Sequence, residues 1–413
     1  MVTQYMALFR NRNFLLHWMA GAISNVGDFF NSLALVKILS EDPAHLGFYM
    51  SLIMVSKVLP SLLLGPVAGV IADRFSRKTI MIISDLIRAL LVLGLVFVQE
   101  PAAIIALVFG AAVVAVFYNP ASSAMLPSLV KPEELVTAGS LGIMTQRLAM
   151  LLGNGIGAAV LILVGAHNVF YIDAVSFLLS ALLLIPLVAP PMPAAEGNAD
   201  GSGTTLSRFV ADLKEMLLFL KATPTMRHLM TGLGITGIGD SAITVLPVTF
   251  FTVGLGLAAE KMGFIWALFG ATSVIGALAI GALGGRIHWK HLFTYGALYV
   301  WVLLFLGLLA NSVIPSAAAF TLIGLGSGAV NVGLQAAIGE LVPDRIRGRV
   351  FGVWGMINSL IFILGVTSAG MLSDRFGPGP TLMGYSMSFL ATSIYAFFAF
   401  RSLSAKAAAG ATT

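Results

Sequence analysis

Twelve long apolar stretches follow one another along the chain, and short groups of charged residues, glycine or proline separate them. A helix that crosses a bilayer needs about 20 predominantly apolar residues. The stretches are continuously apolar rather than alternating, which favours membrane helices over the strands of a barrel. The pattern therefore predicts an all-α membrane protein with twelve transmembrane helices. They occupy residues 14–39, 46–72, 79–99, 102–127, 138–164, 168–189, 228–252, 262–285, 291–311, 315–341, 348–372 and 379–401.

Composition and charge support the same class. Hydrophobic residues make up 58% of the 413 residues and charged residues 10%, and the mean hydropathy is +0.96, well above what a soluble core requires. Most lysines and arginines fall in loops on the side of both chain ends, a bias that marks the cytoplasmic face. We therefore expect a multi-pass protein of the plasma membrane, the inner membrane of the cell, with cytoplasmic termini. This topology explains the net charge of +5, so we expect no nucleic-acid partner.

A segment rich in proline, glycine and alanine divides the twelve stretches into six and six. We predict an N-terminal six-helix bundle over residues 1–189 and a second bundle over 228–401. Residues 190–227 form a cytoplasmic linker in which 206–220 show the spacing of an amphipathic interfacial helix, and 402–413 form a C-terminal tail.

The two halves are related by a shift of 212 residues. It superposes Gly27 and Asp28 on Gly239 and Asp240, and Arg74 on Arg286. Parallel six-helix repeats of this kind are typical of secondary transporters, in which the substrate binds near the bilayer midplane between the repeats.

Asp28 and Asp240 stand at the middle of the first and seventh predicted helices. A charged side chain there costs roughly 2.5–3.5 kcal/mol, so a functional role is expected. Either carboxylate could carry a proton or bind a cationic substrate. The alternative is a structural pair of Asp28 with Lys57, which lies at a similar depth. Hydroxyls flank both acids one turn away on the same face, as cavity-lining candidates: Ser24, Ser32, Thr236 and Thr244.

Other polar residues lie within the predicted helices. Asp85 and Arg88 are three residues apart and can pair on one helix, with Arg147 at a similar depth. Together with Lys57 they suggest a structural charge network near the inner gate, whereas Asp173 is expected at a membrane interface. Further cavity-lining candidates, for which hydrogen bonding between helices is the alternative role, are Tyr118, Asn119, Asn331 and Gln335.

The sequence "GVIADRFSRKTIM" at residues 69–81 resembles the signature loop of the major facilitator superfamily, G-x-x-x-D-R-x-x-R-[KR]. The strings "DLIRALLVLG", "FYNPASSAMLPSLVKPEEL" and "LVPDRIRGRVFG" further resemble its drug-exporter-like branch, which includes macrolide and siderophore exporters. The resemblance implies two six-helix bundles, with the first and seventh helices lining a central cavity. The matching loop residues, which form the predicted cytoplasmic gate, are Gly69, Asp73, Arg74, Arg77 and Lys78.

This loop is expected to act as a latch, with Asp73 at the N-terminus of the eleventh helix and Arg77 and Lys78 pairing with acids. The alternative is that the basic residues only set the topology. The chain departs from proton-coupled drug antiporters in two places, because the fourth stretch has no arginine and Asn154 stands where a proline is common. Gly285 replaces the acid in the mirrored loop, so a second latch should be weaker or absent.

Several chemistries lack their motifs. There is no cysteine, no phosphate-binding glycine loop and no H-E-x-x-H pattern, so we expect no enzyme activity, cofactor or metal. The sequence predicts a monomeric secondary transporter, with a small molecule, protons and the bilayer as partners. It would export an amphipathic or hydrophobic compound by proton antiport and alternating access, and so confer multidrug resistance. A lipid or lysolipid translocator and a non-transporting receptor or assembly factor are the alternatives.

Overall fold

The computed structural model describes residues 8–188, 214, 218–283 and 286–410. Among these residues it contains twelve helices that are long and apolar enough to cross a membrane. Each coincides with one predicted stretch, so the all-α fold is confirmed. The predicted amphipathic helix at 206–220 and Gly285 of the mirrored loop lie largely outside the described residues. The helices are α1 Arg12–Leu39, α2 Leu46–Arg74, α3 Arg77–Gly94, α4 Pro101–Leu129, α5 Leu135–Val164, α6 Ala166–Leu184, α7 Pro224–Thr249, α8 Met262–Ala282, α9 Trp289–Ala310, α10 Val313–Leu341, α11 Asp344–Phe376 and α12 Pro378–Gly410.

Local sequence signals set several helix ends. The Asn11 side chain accepts hydrogen bonds from two backbone amides in the first turn of α1, which satisfies donors that lack intrahelical partners. Pro101 and Pro224 open α4 and α7, where a missing N–H costs nothing. Gly165 and Gly377 follow α5 and α11 with φ of 80° and 88°, a conformation that side chains disfavour. These two glycines are 212 residues apart and therefore occupy equivalent positions.

The chain divides into two compact units. Unit 1 contains residues 1–42, 52–202 and 258–267, and unit 2 contains 43–51, 203–257 and 268–413. In unit 1, α1 packs on α5 and α6, while α3 packs on α4 and α6; in unit 2, α7 packs on α11 and α12, while α9 packs on α10 and α12. The internal packing of the two units therefore follows the same scheme, as the 212-residue shift predicts.

Two short segments pack with the other unit and not with the residues that flank them in the sequence. The first turn of α2 is part of unit 2, where the backbone amides of Gly47 and Phe48 each donate to the Asp374 carboxylate on α11 at 2.9 Å. Residues 258–267 are part of unit 1, where Glu260 pairs with Lys37 of α1 at 2.7 Å. The amides at the start of α2 thus find an acceptor that their own helix cannot supply.

Equivalent glycines allow close helix packing in each unit. Gly27 of α1 faces Ser176 and Asp173 of α6, and Gly239 of α7 faces Ser388 and Phe389 of α12. At both positions a Cβ atom would overlap the facing side chains. Small residues at such crossings let membrane helices approach closely, which is how they gain van der Waals contact without a hydrophobic driving force.

We expect Gly27→Ala to lower the free energy of unfolding by about 1–3 kcal/mol, because the added methyl group would collide with the Ser176 hydroxyl and the Asp173 carboxylate. Gly21→Ala on the same helix is the control, since open space surrounds that position, and it should be neutral or slightly stabilising. Thermal unfolding of the purified variants in detergent measures both. Equal melting temperatures would contradict the packing argument.

Candidate functional site

A cavity of about 300 Å³ lies within unit 1 between α1, α2, α3, α4 and α6. Its apolar wall includes Leu91, Val108 and Phe177. Seven polar residues from four helices also line it, which is a large polar share for a cavity among membrane helices. They are Asp28, Asn31, Ser32, Lys57, Ser61, Arg88 and Asn119.

An ion pair dominates this cavity. The Arg88 Nη2 atom donates to both carboxylate oxygens of Asp28, each at 2.9 Å. The Arg88 guanidinium also lies over the Phe177 ring, 4.0 Å from its centroid. The Asp28 side chain remains 47% exposed and that of Arg88 only 10%. Asp28 is thus paired and still reachable from the cavity.

These contacts correct two predictions. The Lys57 ammonium donates to the Ser32 hydroxyl at 2.9 Å, so Arg88, and not Lys57, is the partner of Asp28. The pair of Asp85 with Arg88 on α3 is likewise wrong as predicted, because Arg88 reaches across to α1. Two residues at the same depth in the membrane do not necessarily form an ion pair. The direction in which each side chain leaves its helix decides which side chains meet.

Two more acids are buried in the same unit. Asp85 has no exposed surface and accepts a hydrogen bond from Ser180 of α6 at 2.6 Å. Asp173 is also fully buried, and the Asn31 side chain donates to it at 2.7 Å. The prediction of an interfacial Asp173 is therefore wrong. Arg147 is exposed, and no hydrogen bond or ion pair joins it to these acids in the described part of unit 1.

Unit 2 contains a smaller cavity of about 100 Å³ between α7, α8, α9, α10 and α12. Its polar lining consists of Thr236, Asp240, Ser327 and Asn331. No lysine or arginine is found among the described residues that line it. Asp240 is exposed to the cavity, and its carboxylate forms no hydrogen bond or ion pair with any described residue.

The two cavities are built from equivalent positions. Adding 212 converts lining residues of the first cavity into lining residues of the second. The main chemical difference is the loss of both cations, because Val300 and Phe269 stand in unit 2 where unit 1 has Arg88 and Lys57. The equivalent lining pairs are Asp28 and Asp240, Asn31 and Ile243, Lys57 and Phe269, Arg88 and Val300, Ala111 and Ile323, Ala115 and Ser327, Asn119 and Asn331, and Phe177 and Phe389.

Part of this correspondence escaped prediction from the sequence. Asn119 and Asn331 were predicted separately as polar lining residues, although the 212-residue shift relates them directly. The same shift, applied to Arg88, would have shown that the second half lacks its arginine. The contact of Phe177 with Arg88 could not be predicted from the sequence, because nothing distinguishes this residue from the other phenylalanines in a chain that has 27 of them.

Four predicted lining residues lie outside these two cavities. Ser24 is buried and donates to the Gly21 carbonyl of its own helix, and Thr244 donates to the Asp240 carbonyl. Tyr118 packs in the core of unit 1 with Met81 and Met125. Gln335 is exposed on α10. Helical spacing put Ser24 and Thr244 beside the acids, but serine and threonine hydroxyls in helices bond readily to the preceding turn.

The signature loop has partners that differ from the predicted acids. Arg77 donates to the Ala124 carbonyl at 2.7 Å, and Lys78 to the Ile185 carbonyl at 2.6 Å. Ile185 follows the end of α6, where carbonyls lack intrahelical donors. Asp73 and Arg74 are exposed. In this structure the two basic residues tie α3 to α4 and α6 within unit 1, and the gating role of the loop, including Gly69, stays a prediction.

A family model for the Major Facilitator Superfamily matches residues 17–366, most of the chain. The chain belongs to the Major Facilitator Superfamily. Solved structures agree on the fold. The nucleoside transporter NupG superposes with a TM-score of 0.73 at 16% identity, over 94% of this chain and 99% of NupG.

Relatives in this superfamily include efflux proteins. The chain is 31% identical over 390 residues to YfiS of Bacillus subtilis (strain 168), an uncharacterized MFS-type transporter, covering 90% of this chain and 89% of YfiS. It is 28% identical over 375 residues to the multidrug efflux pump Tap of Mycolicibacterium fortuitum, covering 84% of this chain and 86% of Tap. The protein is therefore a multi-pass membrane transporter of small molecules and not an enzyme.

We expect neutralisation of the two equivalent acids to have unequal effects on stability. Asp28→Asn removes the partner of a largely buried guanidinium and should cost about 1–2 kcal/mol, a value reduced because the carboxylate is half exposed. Asp240→Asn removes a charge without a cationic partner among the described residues, and should be neutral or stabilising. Melting temperatures at neutral pH test this. A larger loss for Asp240→Asn than for Asp28→Asn would refute the assignment.

Proposed function

We propose that this protein is a secondary active exporter of small amphipathic or hydrophobic compounds, driven by proton antiport through alternating access. The observation that carries the proposal is the lone carboxylate of Asp240 in a cavity within a membrane helix bundle. A charge in that position is expensive and is kept where an ion or a proton must bind.

Asp240 is the better candidate for the coupling group. Its counterpart Asp28 already has a positive partner in Arg88, and the cavity of unit 1 also contains Lys57. Asp240 has only hydroxyl, amide and apolar neighbours in its cavity, and none of them carries a positive charge. Its negative charge must therefore be neutralised by a cation from outside the cavity, and the smallest such cation is the proton. A cationic substrate could do the same, which would make binding of the two mutually exclusive, as antiport requires.

The cavity linings suit an amphipathic compound. Aromatic and aliphatic side chains make up most of the walls, and a few carboxylate, amide and hydroxyl groups are placed among them. Such a lining binds by apolar contact and orients by a small number of hydrogen bonds. The relatives named as multidrug and macrolide efflux proteins support export as the direction of transport.

The exchange of one proton for each substrate molecule would provide enough free energy for export. Moving one charge across a potential of about 100 mV is worth roughly 2.3 kcal/mol, close to a fifty-fold gradient of an exchanged solute. A single coupling carboxylate would therefore support useful export, and unit 2 supplies one.

The test is flux in proteoliposomes with an imposed pH gradient, with the lipophilic cation ethidium and the macrolide erythromycin as probes. We expect Asp240→Asn to reduce gradient-driven flux to the level of empty liposomes. Thr244→Ala, one turn away and outside the cavity, is the matched control and should transport normally.

Val300→Arg provides a second arm. It places a guanidinium at the position equivalent to Arg88, where it can pair with Asp240 as Arg88 pairs with Asp28. Loss of gradient-driven flux with normal folding would support the role of an unpaired carboxylate. Undiminished proton-driven flux in Asp240→Asn would remove this acid from the proposal.

A further inference from the structure

Arg88 lies near two carboxylates and is bonded to one of them. It donates to Asp28 of α1, while Asp85 is one turn earlier on its own helix. Residues three apart on a helix lie on one face, so the guanidinium can reach either acid by changing rotamer. Asp28 lines the cavity, whereas Asp85 is not among the lining residues and is fully buried.

Asp85 has an unused acceptor. Its Oδ2 atom accepts from Ser180, but its Oδ1 atom has no hydrogen-bond partner among the described residues, although it is fully buried. A buried carboxylate oxygen without a donor is costly, so a guanidinium that arrived there would be well bound.

The Phe177 ring forms a cation–π contact with Arg88 that could persist while the guanidinium changes its carboxylate partner. The guanidinium lies over this ring at 4.0 Å, and Phe177 lies on α6, the helix that also carries Ser180. An arginine can stack on an aromatic face while its N–H groups bond to carboxylates at its edge. Loss of the bond to Asp28 would therefore leave the cation–π contact in place during a change of partner.

We propose that Arg88 is a positioning residue that exchanges carboxylate partners: it pairs with Asp28 while that acid is charged and with Asp85 when Asp28 is neutralised from the cavity. A proton that binds a carboxylate oxygen of Asp28 breaks the ion pair there. Arg88 keeps its own proton and charge, and its positive charge is then balanced by Asp85. The charge of the unit rises by one, which is the charge of the added proton.

The remaining charged groups around Arg88 already have partners. Lys57 of α2 donates to Ser32, and Asp173 of α6 accepts from Asn31 and from Ser176. Asp85 is the one nearby acid with a buried oxygen that lacks a donor among the described residues. Exchange from Asp28 to Asp85 is therefore the change of partner that requires no other hydrogen bond to break.

Unit 2 lacks the parts for this exchange. The positions equivalent to Asp85 and Arg88 are Ala297 and Val300. Neutralisation of Asp240 therefore moves no arginine, whereas neutralisation of Asp28 would shift a positive charge from the cavity wall into the core of unit 1. The use of this movement in transport rests on the proposed function, but the movement itself does not.

A double-mutant cycle tests the exchange without any transport measurement. Asp28→Asn mimics the neutral acid, and Asp85→Asn removes the second acceptor. We expect Asp85→Asn to lower the melting temperature by about 2–4 °C more in the Asp28→Asn background than in the wild type, because only there does Asp85 hold Arg88. Equal shifts in both backgrounds would overturn the proposal.

A control cycle pairs Asp85→Asn with Asp240→Asn. The two positions share no partner among the described residues, so the shifts should add. A structure of the single variant Asp28→Asn gives a readout that does not depend on the stability of any Asp85 variant. Arg88 bonded to Asp85 would support the exchange, and Arg88 still bonded to position 28 or turned into the cavity would overturn it. Failure of the flux test would leave either result standing.

Discussion

The absence of water in the bilayer core is the constraint on which this structure depends. Every backbone N–H and C=O group there must bond within the protein, which leaves helices as the form for twelve apolar stretches. The same constraint makes each intramembrane charge costly. In unit 1, Asp28 and Arg88 bond to each other, and Asp85 and Asp173 accept from neighbouring side chains; in unit 2, Asp240 faces a cavity.

The duplicated halves meet this constraint with the same scaffold and different chemistry. Gly27 and Gly239 allow equivalent helix crossings, and Gly165 and Gly377 end equivalent helices with a positive φ. On this shared scaffold one cavity has a paired acid and the other an acid without a cationic partner among the described residues. Two positions that carry a cation in the first half, Arg88 and Lys57, carry Val300 and Phe269 in the second, and the valine at the position of Arg88 leaves the second acid without the equivalent partner. Duplication thus preserves packing and allows the two acids to take different roles.

Membership of the Major Facilitator Superfamily accounts for the arrangement of helices and for transport in general. The identity of the cargo depends on the side chains of the cavities, which the fold does not determine. Here those side chains are mainly apolar, with a small number of polar groups near the acids. That balance is the reason for proposing an amphipathic cargo.

The sequence by itself determined the twelve helices, the repeat of 212 residues and the equivalent acids of the first and seventh helices, because hydropathy, glycine positions and isolated charges are local signals. The choice of Arg88 over Lys57 as the partner of Asp28, and the burial of Asp173, were decided by the tertiary structure. The physical reason is that helical depth fixes only one coordinate of a side chain. Rotation of each helix about its axis and the rotamer of each long side chain fix the others, and both are set by packing against neighbouring helices.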